Sequence, residues 1–456
     1  MRVALLLNYF LPEHAAGTEV YVLALAKSLI QLDVDVCVLI PHYGQTVSAQ
    51  YAFEGVPVFQ YAEPSSPSRS IQIGQTLPQG LTSVVQFYQD WKPDLVHVHE
   101  IAGSTGIRVE HLELAHGLGI KTVYTLHLAT ITCSTGTLFR NQTTLCDGIM
   151  QPMKCSRCIL QKQTNSPQLA NVLTWLGMPF FWCKVDPRRF AGRIGTALSA
   201  PMQVNKLQIQ LRRLTAVVDQ FVPITDWYER MLLENGVASS QLTCIKQAIP
   251  VQLPSIPVIR APWTNSRPVR LLFVGRISPL KGIDLLLNAL SSFDVGMFEL
   301  TVMGSAVDKA FVDQMQLHAE RLGMVHWLGK TSSEEVMRAM ASHDVLVLPS
   351  VFSEMSPLVI QEAFQLELPV LGSNVYGIAE LIHEGMGGQG WLFQMGSLDA
   401  LRKQLAQCRL DLLQHGTSRF QFPEPRSFQW VGMETKQVYT NLLEAAAAMF
   451  KSGLQA

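Results

Sequence analysis

Short apolar runs, each followed by a stretch with helical spacing, constrain this chain more than any other feature. "RVALLLN" (2–8) is apolar over a length that suits a strand buried on both faces. "TEVYVLALAKSLIQL" (18–32) places apolar residues at helical intervals, and "DVCVLIP" (35–41) returns to strand. "PDLVHVHE" (93–100) and "KTVYTLHLA" (121–129) repeat the strand theme after helical segments. The alternation predicts a doubly wound α/β domain on a parallel sheet.

The same grammar restarts late. "VRLLFVGRI" (269–277), "FELTVMG" (298–304), "MVHWLG" (324–329), "DVLVLPS" (344–350) and "LPVLGSN" (368–374) read as strands. "GIDLLLNALSSF" (282–293) and "SSEEVMRAMASH" (332–343) read as helices between them. Proline-rich "IPVQLPSIPVIRAPWTNSRP" (249–268) separates the halves. The expectation is an N-terminal Rossmann-like domain over 1–250, a linker over 251–268 and a second Rossmann-like domain over 269–429. Ligand is expected in a cleft at the C-terminal ends of the strands. "WVGMETKQVYTNLLEAAAAMF", within 430–456, reads as a long terminal helix. It either crosses back to the first domain or stays on the second.

Composition narrows the classes. The chain has 456 residues, 48% apolar and 16% charged, as a globular protein does. A net charge of −1 offers no basic field to nucleic acid. No run reaches the roughly 20 apolar residues of a spanning helix. The N-terminal apolar run is short and lacks a small-residue cleavage site, so it reads as a first strand and not a secretion signal. A cytoplasmic protein is expected, with its eight cysteines as thiols.

Candidate ligand chemistry concentrates in the second half. Strand "LLFVG" ends at Gly275-Arg276, and "SPLKG" puts Lys281 five residues on. Two cations at a strand end and a helix start suit a phosphate. "SEMSPLVIQEAF" (353–364) carries Glu354 and Glu362 on either side of a helix start. Ser356 reads as the N-cap and Pro357 as the first helical turn. The N–H groups of Leu358 and Val359 would then face an anion. Eight helical residues span roughly 12 Å, the reach from a hexose across a diphosphate to a ribose. Carboxylates suit sugar hydroxyls because they only accept hydrogen bonds. Solvated basic and acidic surface positions are the plainer alternative.

Together, "VGRISPLKG", "EMSPLVIQEAF" and "LPVLGSNVYGIAELI" resemble the second domain of the family 4 retaining glycosyltransferases of GT-B fold, over most of 269–385. The resemblance implies that Arg276 and Lys281 neutralise the leaving diphosphate. It implies that Glu362 holds ribose hydroxyls and that Glu354 meets the donor sugar near the reacting carbon. The family's Gly-Phe-Gly-like stretch is replaced here by Met355-Ser356. In the first domain, "EHAAGTE" resembles the family's glycine-rich loop, with Ala16 in place of one glycine and Gly17 retained. His127 corresponds to the histidine over the donor sugar, whereas His99 reads as structural. The implied reaction is a front-face, retaining hexosyl transfer from a nucleotide-diphosphate sugar to a cell-envelope or lipid-linked glycan. No metal is required for it, because fixed cations meet the leaving group. Asp33-x-Asp35 heads a strand and reads as turn chemistry. A non-catalytic nucleotide-sugar-binding or scaffold protein, or a nucleotide-sugar epimerase, is the alternative.

Two insertions interrupt the first domain. In 130–160, Cys133, Cys146, Cys155 and Cys158 end in a C-x-x-C knuckle that suits structural zinc. An iron–sulfur cluster, a redox pair or plain thiols are the other readings. In 170–215, "VLTWLGMPFFWCK" is followed by Arg188, Arg189, Arg193, Lys206, Arg212 and Arg213. Tryptophans beside cations suit an interfacial segment on anionic lipid, at the inner membrane face. A buried lid is the alternative.

Overall fold

The computed structural model describes residues 1–63, 71, 76–101, 106–141, 144–189, 192–249, 256–258, 260, 264 and 266–453. The chain divides into two compact units. The first comprises Met1–Gly136, Gly148–Val251 and Ser427–Ala456, the second Thr137–Asp147 and Gln252–Arg426.

The first unit is built on a seven-stranded sheet. Its strands are β1 (Arg2–Leu6), β2 (Asp35–Tyr43), β3 (Ala49–Phe53), β4 (Val56–Glu63), β5 (Leu95–Val98), β6 (Lys121–Leu126) and β9 (Gln220–Pro223), in the order β3-β4-β2-β1-β5-β6-β9. Every pairing is parallel except β3 with β4. The apolar runs are central strands covered on both faces, which is why they lack alternation. Val3, Leu5 and Leu7 pack with Val22, Leu25 and Leu29 of the Gly17–Gln31 helix. Asp33 sits in the turn after that helix with φ +60°, and Asp35 opens β2, as turn chemistry requires.

The terminal helix, Phe428–Gly453, belongs to the first unit. Val431, Val438 and Tyr439 lie in the first unit's core. Gly432 admits the closest approach, since a Cβ there would fall 2.0 Å from Ser28 Oγ. Lys436 Nζ donates to the Leu32 carbonyl (2.7 Å). Of the two readings for this helix, crossing back is the one observed.

The second unit has a six-stranded, wholly parallel sheet of β10 (Val269–Val274), β11 (Phe298–Met303), β12 (Val325–Gly329), β13 (Val345–Leu348), β14 (Val370–Ser373) and β15 (Gly390–Phe393), ordered β12-β11-β10-β13-β14-β15. Both units are thus Rossmann-like, the α/β architecture expected. One boundary differs. Thr137–Asp147, with the hairpin β7 (Phe139–Arg140) and β8 (Thr144–Leu145), falls inside the first domain's cysteine-rich insertion but clusters with the second unit. Short sequence separation gave no sign of this, because the contacts that decide it are made with residues more than 200 positions away, such as Tyr376 with Cys146.

Candidate active site

In the second unit, the polar groups gather at the C-terminal ends of β10 and β13. Past β10 the chain turns through Gly275 and exposed Arg276 and makes a single helical turn, Pro279–Lys281. Gly282 follows at φ +70°, where a Cβ would lie 2.0 Å from the Pro349 carbonyl. Only glycine fits there, and it brings Lys281 up against the end of β13. Lys281 Nζ donates to Glu354 Oε1 (2.6 Å), and Ser350 Oγ donates to the same oxygen (2.7 Å). The Lys281 and Glu354 side chains are only 19% and 12% exposed, so water screens this pair weakly. Lys281 Nζ also lies 5.5 Å from the Phe352 ring centre.

The Glu354 backbone is fixed from the other side. A Cβ at Gly377 would fall 2.1 Å from the Glu354 carbonyl oxygen, so the Tyr376–Ala379 helix abuts it directly. Ser353 N–H donates to the Thr137 carbonyl (3.1 Å), and Tyr376 Oη donates to the Cys146 carbonyl (3.1 Å). The strap 137–147 therefore holds both flanks of Glu354.

The Leu358–Gln365 helix begins one residue later than its sequence suggests. Pro357 is the N-cap (φ −68°, ψ 111°), so Ser356 lies before the cap and makes no capping bond. Proline's fixed φ and missing N–H suit it to this place, which displaces the serine. Ile360 N–H is taken by the Pro357 carbonyl (3.1 Å). Leu358 and Val359 are the first-turn residues whose N–H groups have no place in the helical ladder. Glu362 lies within the helix, and burial pushes its carboxyl above the usual range.

The first unit offers a different chemistry at its strand ends. His127 follows β6, and its Nε2 shares a 3.2 Å hydrogen bond with His99 Nδ1. Tyr21 packs edge-on against His127 at 4.6 Å between ring centres. His97, on β5, bonds through Nδ1 to Tyr439 Oη (2.5 Å) and through Nε2 to Thr125 Oγ1 (2.7 Å). Burial pushes His97 and His127 down to about 3, and His99 well below its ordinary value. All three rings are neutral at pH 7, so each carries one donor and one acceptor. Among the described residues, buried His99 Nε2 has no hydrogen-bond partner. Gly17 opens the first helix with open space where a Cβ would stand. Glu19 fixes the preceding loop, accepting from Ala16 N–H (3.1 Å) and pairing with His14 (2.6 Å).

The four expected thiols are divided between units. Cys155 and Cys158 stand three apart on the Pro152–Thr164 helix, and Cys133 follows the short Ala129–Ile131 turn, all in the first unit. Cys146 belongs to the second. Gln151 N–H donates to Cys155 Sγ (3.4 Å). Burial raises the Cys155 thiol's pKa, and the Cys133 and Cys158 thiols add to the rise. Among the described residues, these thiols do not form a set of three ligand atoms within 4.8 Å of one another. A separate group, Asp226, Glu229 and Cys244, brings its ligand atoms within 4.8 Å of one another. Lys246 already pairs with Asp226 there (2.8 Å), and burial pushes the Cys244 thiol up to about 12.

Several contributors escaped the sequence reading. Ser350 was visible as the end of "DVLVLPS", and Gly377 stands in "NVYGIAEL", but neither carries a charge to mark it. Thr137 and Tyr439 act across too long a sequence separation to be paired by inspection.

The comparisons agree with this layout. A Glycosyl transferase 4-like domain model matches residues 16–154, and the Glycosyl transferases group 1 model matches 257–411. An uncharacterized 41.2 kDa protein in the cps region of Klebsiella pneumoniae is 25% identical over 188 residues, 40% of this chain and 51% of that protein. The amylovoran biosynthesis glycosyltransferase AmsK of Erwinia amylovora is 26% identical over 196 residues, 41% of this chain and 47% of its own. The chain thus spans about half the length of these curated relatives. The crystal structure of Anabaena Alr3699/HepE in complex with UDP-glucose superposes with a TM-score of 0.55 at 15% identity, covering 98% of this chain and 100% of that one. On a GT-B fold, the chain therefore carries a glycosyl transferase 4-like domain followed by a glycosyl transferases group 1 domain.

Proposed function

We propose that this protein is a retaining glycosyltransferase that moves a hexose from a nucleotide-diphosphate sugar to a cell-envelope or lipid-linked glycan. The observation that carries the reading is the Lys281–Glu354–Ser350 cluster at the ends of β10 and β13, with Arg276 just past β10 in sequence and the Leu358–Gln365 helix starting four residues after Glu354. A diphosphate arriving there meets two cations and the Leu358 and Val359 N–H groups. Lys281 would turn toward it, leaving Glu354 to accept from donor-sugar hydroxyls while Ser350 keeps the carboxylate in place. Glu362, raised by burial, gains from the ribose hydroxyls the hydrogen bonds that favour its charged form. Neutral His127 can donate to or accept from the sugar without adding charge to an oxocarbenium-like state. Gly17 leaves room for the ligand at the first helix. The negative charge that the leaving diphosphate gains on bond cleavage is met by the chain's own cations, so the transfer runs without a metal ion.

Uridine diphosphate sugars are the first donors to test, because HepE is described in complex with UDP-glucose. A capsular or exopolysaccharide acceptor follows from relatives named for amylovoran biosynthesis and for a cps region. The deciding experiment measures UDP release from UDP-glucose with membrane lipid extract as acceptor source. Glu354→Gln is expected to cut turnover by about a hundredfold to a thousandfold with an unchanged melting curve. Undiminished turnover in that variant would instead favour the nucleotide-sugar-binding reading. Cys133, Cys155 and Cys158 are proposed as zinc ligands. Elemental analysis of protein purified without added metal is expected to give about one zinc per chain, and stoichiometry near zero rejects the site.

A further inference from the structure

The helix Pro167–Trp182 contains no charged residue, yet one of its faces is open to solvent. Val172, Trp175, Leu176 and Trp182 project from that face, the two tryptophans 58% and 65% exposed. The opposite face is locked. Ala170, Thr174, Gly177 and Met178 are buried, and a Cβ at Gly177 would fall 2.6 Å from the Leu198 carbonyl. Rolling the helix to hide its tryptophans would lift Gly177 from that contact. Leu160, Ala200 and Val204 of the neighbouring helices complete the small core that holds it. The exposed face is thus a fixed feature of a packed subdomain.

Charge supplies the second observation. Between Asp147 and Asp219 the sequence has one acid, Asp186. That carboxylate is already engaged by Arg188 (2.7 Å) and Lys206 (3.2 Å), which hold it well below the usual range. Lys162, Lys184, Arg193 and Arg212 are exposed. Lys184 lies two residues past the apolar helix, and Arg193 opens the short helix that packs on it, beside Ile194 at 74% exposed.

We infer that this subdomain docks on an anionic lipid surface, with Trp175, Trp182 and Ile194 entering the headgroup layer and Lys184 and Arg193 meeting lipid phosphates. Sixteen residues make a helix of about 24 Å, too short to span a bilayer with its ends in water, so it lies in the plane of the interface. No helix among the described residues is long and apolar enough to cross a membrane. A second copy of the chain is a poorer occupant. A two-fold contact through this face would set one cationic patch against the same patch. The surface goes beyond the donor chemistry proposed above, and its test needs no turnover.

The full chain is spun with vesicles of phosphatidylcholine alone or mixed with phosphatidylglycerol. Binding is expected only to the mixed vesicles, with a blue shift of tryptophan emission and loss at high salt. The double variant Trp175→Ser/Trp182→Ser is expected to bind at least about tenfold more weakly. Lys184→Glu and Arg193→Glu are each expected to weaken binding by about fivefold. All variants keep the parental melting temperature and rate of UDP-glucose hydrolysis, because the substituted side chains are solvent-exposed. Equal binding of parent and double variant overturns the inference. So does a parent that ignores anionic vesicles and runs as a dimer that the tryptophan variant dissolves.

Discussion

At the strand ends of the second unit an ionic cluster forms: a lysine and a serine converge on one oxygen of Glu354, beside a buried Ser353 hydroxyl that has no hydrogen-bond partner among the described residues. At the strand ends of the first the polar groups are neutral imidazoles: His99 bonds to His127, His97 bonds to Thr125 and Tyr439, and among the described residues buried His99 Nε2 has no partner. Both sets stand where an open parallel sheet presents ligands. The difference suits a division of labour. On the function proposed above, the charged set would serve a diphosphate, and the imidazoles would add no charge of their own.

Three measurements bear on that contrast. The largest effect is expected for Lys281→Met, which removes the cation and leaves Glu354 weakly screened; kcat/KM for donor is expected to fall by about a hundredfold or more. His127→Ala removes only neutral hydrogen bonding and should cost about tenfold. Equal losses in the two variants would erase the distinction.

Acid should separate the units next. His97 and His127 titrate at about 3 and His111 at about 4 in the folded first unit, all below the ordinary value of 6.5. The unfolded chain therefore binds more protons across the window from about 3 to 6.5, and stability falls as pH drops through it. The second unit has a like-directed shift at His343. Limited proteolysis at pH 5 is expected to cut first within 1–136 or 148–249. Earlier cleavage in 266–426 would show the histidine cluster is not the acid-sensitive part.

The smallest effect on folding is expected at Gly17. Nothing stands within 4 Å of an added Cβ, so Gly17→Ala should shift stability by less than about 0.5 kcal/mol. A selective rise in KM for donor or acceptor would place a ligand in that space. Unchanged kinetics would leave the first unit's role to the imidazoles.

The sequence revealed the ionic site more fully than the neutral one, for physical reasons. Arg276, Lys281, Glu354 and Glu362 are rare charges at the ends of apolar runs, so each stands out. Their helix start was misplaced by one residue because serine and proline compete for the cap, and Pro357 takes it. His99 reads as structural and nothing in the sequence marks His97, since their partners lie 28 positions away or more. The two parallel α/β halves followed from period and length, but the allegiance of Thr137–Asp147 did not. Two-residue strands carry too little pattern to announce which sheet they serve.

Tyr439, hydrogen-bonded to His97, is separated from it by the entire second unit in sequence. During synthesis the early sheet must therefore wait for its last helix while some 175 intervening residues emerge (252–426). Until then the Gly17–Gln31 helix lacks the neighbour that packs on it at Ser28, and His97 lacks its hydroxyl. A ribosome-bound nascent chain stopped before Ser427 would expose that bare patch to chaperones.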